Sequence, residues 1–334
     1  MNSESILVRN LRKTFKLKLR DPGVIGAMRS LIKPLHREVP AVDGVSFTVK
    51  QGEIVAFVGP NGAGKSTTIK ILTGILHPSS GEVSVLGLNP QSARGTLAYK
   101  IGTVFGQKAQ LWLHLPPQDS FDLFARIYAV EQVQYRARLA YLVDALKVGE
   151  LLNIPVRKLS LGERMRCEIV ASLLHSPRVI FLDEPTIGLD VIAKQQIREV
   201  IRRLNREEDV TIFLTSHDAG DIEALAHRTI VINHGTLVLD ESTENFKKRY
   251  VQTKTVELVL DQPAKDFCFP EGEVLERGDF HLKIEFKNSA QTLERLFRYA
   301  LEHFTVRDIN IYEPSMEEII ATIYRERRNR AGHL

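Results

Sequence analysis

Gly59-Pro60-Asn61-Gly62-Ala63-Gly64-Lys65-Ser66-Thr67 decides the reading of this chain. The apolar run Glu53-Ile54-Val55-Ala56-Phe57-Val58 precedes it, and the helix-like Thr68-Ile69-Lys70-Ile71-Leu72 follows. Strand, glycine loop and helix form the context of a phosphate-binding loop. The glycines let the backbone curl until its N–H groups converge on phosphate oxygens, and a helix N-terminus adds positive potential. Lys65 supplies a point charge for the outer phosphates, and the Ser66 hydroxyl suits a Mg²⁺ ligand. An ordinary glycine turn does not require this flanking order. A nucleotide is the ligand that fits.

A second stretch extends the motif. Val179-Ile180-Phe181-Leu182-Asp183-Glu184 is an apolar strand ending in two acids. Acids often close strands for solubility alone. Downstream of a phosphate loop they carry chemistry: Asp183 is expected to hold the Mg²⁺ shell, and Glu184 to orient and deprotonate an attacking water.

Further segments complete a set. Leu159-Ser160-Leu161-Gly162-Glu163 comes shortly before that strand, and Ile187-Gly188-Leu189-Asp190 shortly after it. Gln107 follows the apolar Ile101-Gly102-Thr103-Val104-Phe105, and His217 follows the strand Val210-Thr211-Ile212-Phe213-Leu214-Thr215. In order and spacing, roughly residues 5–245 resemble the ATP-binding cassette family, the ABC ATPases.

The resemblance implies an α/β fold of P-loop NTPase type with an inserted helical subdomain at about 108–176. It implies ATP and Mg²⁺ as cofactors, with Gly59, Pro60, Asn61, Gly62, Ala63, Gly64, Lys65, Ser66 and Thr67 around the phosphates. Gln107 would contact the metal or the attacking water and couple the site to a partner. His217 would contact the γ-phosphate. Asp190 would lie at a dimer seam, and Phe15 would stack on adenine. Ser160, Gly162 and Glu163 would cover the γ-phosphate of ATP bound to the opposite subunit.

The signature departs from the family's usual Leu-Ser-Gly-Gly-Gln, with Leu161 for the first glycine and Glu163 for the glutamine. Leu161 is therefore expected to point away from the phosphate. Ser160-x-x-Glu163 also fits a helix capping box, which is compatible with an anion site. This variant, followed by Arg164-Met165-Arg166-Cys167-Glu168, is similar to cassettes of the drug-exporter, daunorubicin-resistance-like type. That similarity implies a separate transmembrane permease, a second ATPase subunit (in a homodimer or a heterodimer), and a peripheral place on the cytoplasmic face of the cell membrane. A cytosolic non-transport ATPase of the same family, such as an assembly factor, is the alternative.

Composition sets outer bounds. The chain has 334 residues, 43% hydrophobic and 26% charged, enough for a full core and a second small domain. It shows no apolar run long enough for a membrane span and no charged-then-apolar leader at Met1-Asn2-Ser3-Glu4-Ser5. A formal charge of +4 is too small to suggest a dedicated nucleic-acid binder. Cys167 and Cys268 cannot make a disulfide framework and read as small buried hydrophobes, with a redox sensor as the other reading for either. No His and Cys cluster has metal-ligand spacing.

Two regions stand apart from the family pattern. A basic insertion at about 16–40 carries Lys16, Lys18, Arg20, Arg29, Lys33 and Arg37. Between Pro22 and Pro34 its apolar residues recur at helical spacing, suggesting a short amphipathic helix that touches lipid headgroups or a membrane partner. A loop packed on its own domain is an equal reading. Residues 251–334 read as a small α+β accessory domain after an ATPase domain at 1–250. Thr255–Leu260 and His281–Phe286 alternate like strands, a helix is expected at 289–303, and Ser315 with Glu318 fits a cap on a last helix. Trp112 reads as a core side chain, with a contact in a partner-facing groove as the other reading.

Overall fold

Apolar residues spaced along 4–19 and 35–50 make both segments long paired strands rather than short flanks of a loop. The computed structural model describes residues 4–19, 35–106, 109–216, 218–250, 253–264, 267–312, 314 and 319. Strand β1 (Glu4–Leu19) pairs antiparallel with β2 (Leu35–Lys50), placing Phe15 opposite Val39 and Leu19 opposite Leu35. Both margins of the basic insertion are therefore strand. The helix expected between Pro22 and Pro34 lies outside the described residues.

Strand β3 (Ile54–Val58) is fully buried and leads through the glycine loop into α1 (Lys65–Leu72). Strand β4 (Ser80–Val85) then joins the free edge of β1, closing a three-stranded antiparallel sheet. Helix α2 (Arg94–Ala98) and strand β5 (Ile101–Phe105) follow. The helical insertion contributes α3 (Pro117–Ile127), α4 (Gln132–Ala145) and α5 (Leu161–Leu173). Pro117 starts α3, where a missing N–H costs nothing. Glu131 caps α4 by accepting from Val133 and Gln134 N–H, both at 3.0 Å.

Strand β6 (Val179–Asp183) and helix α6 (Val191–Glu208) return the chain to the main sheet. Helix α6 buries Ala193, Ile197, Val200, Ile201 and Leu204, an apolar stripe at helical spacing. Strand β7 (Thr211–Thr215), helix α7 (Ala219–Leu225) and strands β8 (Arg228–Asn233) and β9 (Thr236–Ser242) complete it. The order is β5-β6-β7-β3-β8-β9, parallel except for β9. Phe47 from the antiparallel sheet meets Phe57 and Phe213 of the parallel one at ring distances of 5.7 and 5.8 Å. Full burial of each such ring is worth about 2 kcal/mol of transfer free energy, so this cluster welds the two sheets.

The chain divides into two compact units, Met1–Ser242 and Thr243–Leu334. The second begins with α8 (Thr243–Tyr250) and carries a sheet of order β11-β12-β10-β13. Its strands are β10 (Thr253–Leu260), β11 (Gly272–Arg277), β12 (His281–Lys287) and β13 (Val306–Tyr312), all antiparallel, with α9 (Ala290–His303) between the last two. Val256, Leu258, Leu282, Ile284, Phe286, Leu296 and Ala300 pack into its own core. Ser315 and Glu318 lie outside the described residues.

Two side-chain expectations need correction. Trp112 is 48% exposed, so the core reading fails. Cys167 is buried as expected, and burial pushes its thiol up to about 12, but Cys268 is exposed. Among the described residues, no helix is long and apolar enough to cross a membrane.

Candidate functional site

Parallel pairing gathers the strand ends. Phe105 lies opposite Asp183, Asp183 opposite Thr215, and Phe57 opposite Thr215, so β5, β6, β7 and β3 end in one row. The carboxyl ends of parallel strands are where open α/β sheets bind ligands. A cleft of about 450 Å³ opens there, lined by the glycine loop, Lys70, Phe105-Gly106 and Asp183-Glu184, with Ala41 at its margin.

The loop earns its shape at Gly64. Its φ is +107°, and a Cβ there would stand 2.4 Å from the Ala41 carbonyl oxygen. Only glycine meets both conditions without rearrangement. No side chain caps α1, which leaves its first-turn N–H groups available to an anion. Lys65 is 5% exposed, and its Nζ donates to the Gly59 carbonyl at 2.6 Å. The same ammonium lies 3.5 Å from Glu184 Oε1.

Oxygen donors converge beside it. Ser66 Oγ donates to Asp183 Oδ1 at 3.2 Å, and Thr215 Oγ1 donates to the same oxygen at 2.7 Å. A hydroxyl and a carboxylate in this arrangement suit a hard divalent cation such as Mg²⁺. Glu184 adopts φ +55°, the left-handed region, and its N–H is held by the Thr215 carbonyl and Thr215 Oγ1, each at 3.1 Å. Thr215 is fully buried and was not singled out from sequence. Its place became visible only through strand register. Gly106 likewise donates its N–H to the Asp183 carbonyl at 2.9 Å.

The remaining candidates sit on other elements of the first unit. Ser160 caps α5 in the expected box: Ser160 Oγ accepts from Glu163 N–H at 3.3 Å, and Glu163 Oε2 accepts from Ser160 N–H at 2.8 Å. These bonds hold the Glu163 carboxyl below its ordinary range. Gly162 packs close to Ala193 and Leu189, and Leu161 leans over Gly188. Asp190 caps α6 by accepting from Ala193 N–H at 2.8 Å. Phe15 is half-exposed with Lys13 Nζ 5.3 Å from its ring centre, and it is not part of the cleft lining. Gln107 and His217 lie outside the described residues, each flanked by a strand end of the row.

Fold and cleft together define a P-loop protein with a cleft suited to the phosphates of a nucleotide. A family model described as ABC transporter matches residues 42–187. The chain is 32% identical over 207 residues to the ABC transporter ATP-binding protein NatA of Bacillus subtilis (strain 168), covering 62% of this chain and 84% of that one. It is 33% identical to the bacitracin transport ATP-binding protein BcrA of Bacillus licheniformis, covering 63% of this chain and 67% of that one. A dimeric bacterial ABC transporter cassette, MJ0796, shares the fold with a TM-score of 0.60 at 25% identity, over 71% of this chain and 98% of that one. This chain belongs to the family of ABC transporter ATP-binding proteins, and it is an ATPase. Of the A-family transporters that it also resembles, it spans only 14% to 29% of the length.

Proposed function

We propose that this ATPase powers a separate membrane-spanning permease, from the cytoplasmic face of the membrane, for export of a drug-like or amphiphilic compound. The convergence of Lys65, Ser66, Asp183 and Glu184 in one cleft carries the ATPase part of this reading. Likeness to a bacitracin transport protein supports the cargo class, and the exporter-like signature supports the direction. The exposed apolar residues Trp112, Leu113 and Leu115, just beyond Gln107, supply a surface that a permease would cover.

Two subunits, identical or related, would sandwich ATP between the glycine loop of one and the Ser160–Glu163 segment of the other. On nucleotide binding the Lys65 ammonium exchanges the Gly59 carbonyl for phosphate oxygens. Ser66, Asp183 and Gln107 would hold Mg²⁺, which neutralises phosphate charge when bound. Glu184 takes a proton from the attacking water, while His217 steadies the γ-phosphate and Asp190 lies at the seam. Phe15 offers its exposed face to adenine. Loss of the γ-phosphate then releases the two subunits, and that cycle shifts the permease between states.

The test is affinity recovery of tagged Glu184→Gln chain, held with ATP, from detergent-solubilised membranes. A multi-span protein is expected in stoichiometric amount. A complex free of any membrane protein, at native expression, would favour the cytosolic ATPase reading instead.

A further inference from the structure

Among the described residues two acids are buried, Glu168 on α5 and Asp221 on α7. A buried carboxylate is costly unless donors surround it. Glu168 accepts from the main-chain N–H groups of Gln110 and Leu111 at 3.0 to 3.3 Å, and burial pushes its carboxyl up to about 7. Asp221, 0% exposed, is served instead by side chains from three other segments. Arg198 of α6 reaches its Oδ1 through Nε at 2.8 Å and through Nη2 at 2.6 Å. Its Oδ2 accepts from Ser216 Oγ at 2.9 Å and from Thr186 Oγ1. Both hydroxyl residues are 2% exposed, so bulk water has little access to these bonds. Arg198 also meets Asp218 at 3.1 Å, and Lys194 meets Asp218 in turn, so two acids face two cations.

The two hydroxyls stand on the two segments that fix Glu184. Thr186 lies two residues after Glu184, and Ser216 follows Thr215 directly. Thr215 in turn holds the Glu184 N–H through its carbonyl and its Oγ1, each at 3.1 Å. A closed ring results. It runs from Glu184 along the chain to Thr186, across Asp221 Oδ2 to Ser216, then through Thr215 back to the Glu184 N–H. Glu184 needs such a frame, because a non-glycine residue in the left-handed region persists only where its surroundings over-determine it. Thr215 restrains Glu184 from its N-terminal side, and the bond from Thr186 to Asp221 restrains it from the C-terminal side.

We propose that Asp221 is a positioning residue for Glu184, its Oδ2 tying Thr186 to Ser216 so that the Glu184 carboxylate stays aimed into the cleft. The inference rests on the role given to Glu184 above. Asp221 is not part of the cleft lining, and it acts only through the chain segments that it holds.

A double-mutant cycle on ATP hydrolysis by the full chain tests it, using Asp221→Asn, Thr186→Val and the two combined. Asp221→Asn keeps the shape but removes one acceptor oxygen and the charge facing Arg198. Its expected effect is a fall in kcat of roughly tenfold, the scale typical of supporting partners, with KM for ATP within about twofold. Thr186→Val keeps the shape without the hydroxyl and is expected to lower kcat to a similar extent. In the Thr186→Val background, Asp221→Asn is expected to cost less than about twofold, because one residue acts through the other. In single turnover, Asp221→Asn is likewise expected to slow Glu184→Gln by less than about twofold, since the carboxylate that it positions is gone. A merely structural role would not show that dependence. An equal fall in every background, full activity of Asp221→Asn, or a raised KM with kcat unchanged would overturn the proposal. So would a folded Thr186→Val chain with the wild-type kcat, a result that decides alone should Asp221→Asn fail to fold. Hydrolysis by Glu184→Gln at the wild-type rate would be a different failure, removing the assignment of the base and this inference with it.

Discussion

Glu184 sits in the left-handed region at φ +55°, a conformation that costs a non-glycine residue about 1–2 kcal/mol. Thr215 holds it there through two hydrogen bonds to its N–H. Strain kept at a carboxylate facing a phosphate loop suggests that side-chain direction outweighs local stability. Glu184→Gly is therefore expected to have a thermal midpoint no lower than Glu184→Ala, both variants lacking the Lys65 ion pair and both losing turnover; a lower midpoint for the glycine variant would contradict the strain argument. Glu168 gives a second residue-scale test. Its carboxyl titrates near 7 when folded and near the ordinary carboxylate value when unfolded. The folded chain therefore holds the extra proton between those values, and stability falls as pH rises from about 4.5 to about 7, by at most about 1.4 kcal/mol per pH unit. Urea unfolding across that range should show the slope, and Glu168→Gln should flatten it; an unchanged slope would place the titration elsewhere. Lys65, Ser66 and Asp183 were legible in the sequence because a loop and one strand carry them. Thr215 and Glu168 were not, because their partners are distant in the chain and arrive only with the tertiary fold.

Among the elements, α5 shows how much a short pattern can state. Ser160-x-x-Glu163 named a helix start, and both bonds of the box are present. Losing the Ser160 side chain should cost about 1 kcal/mol, so Ser160→Ala is expected to lower the urea midpoint by a corresponding amount. No shift would mean that other contacts hold the helix start. Glu163 adds a pH dependence of opposite sign to Glu168: its depressed carboxyl supports the helix above its ordinary range and loses that support as pH falls through the folded value. Strand β11 shows where pattern reading stops. Its Glu273, Leu275, Glu276 and Arg277 are exposed, as befits a charged sheet edge, and such a strand carries no apolar alternation. The β1–β2 pairing runs further than the sequence suggested, because Lys16, Leu17 and Arg37 read as an insertion while register extends the pairing to Leu19 and Leu35.

At the scale of the molecule, the first unit contains every described residue assigned to nucleotide chemistry, while the second has its own sheet and core. The parallel sheet was legible as a class, since its strands are short apolar runs and all but β3 follow a helix pattern. Its order was not, because register and neighbour choice depend on packing between segments far apart in sequence. The central claim is that one cleft binds ATP and uses Glu184 to hydrolyse it. Single-turnover hydrolysis of ATP labelled on the γ-phosphate measures this most directly, with wild type and Glu184→Gln compared at equal bound nucleotide. The expected result is phosphate release by wild type and retained, intact ATP on Glu184→Gln, with a rate lower by about 10²–10⁴-fold, the range for loss of a general base. Release at the wild-type rate from Glu184→Gln would contradict the assignment of the base and the mechanism built on it.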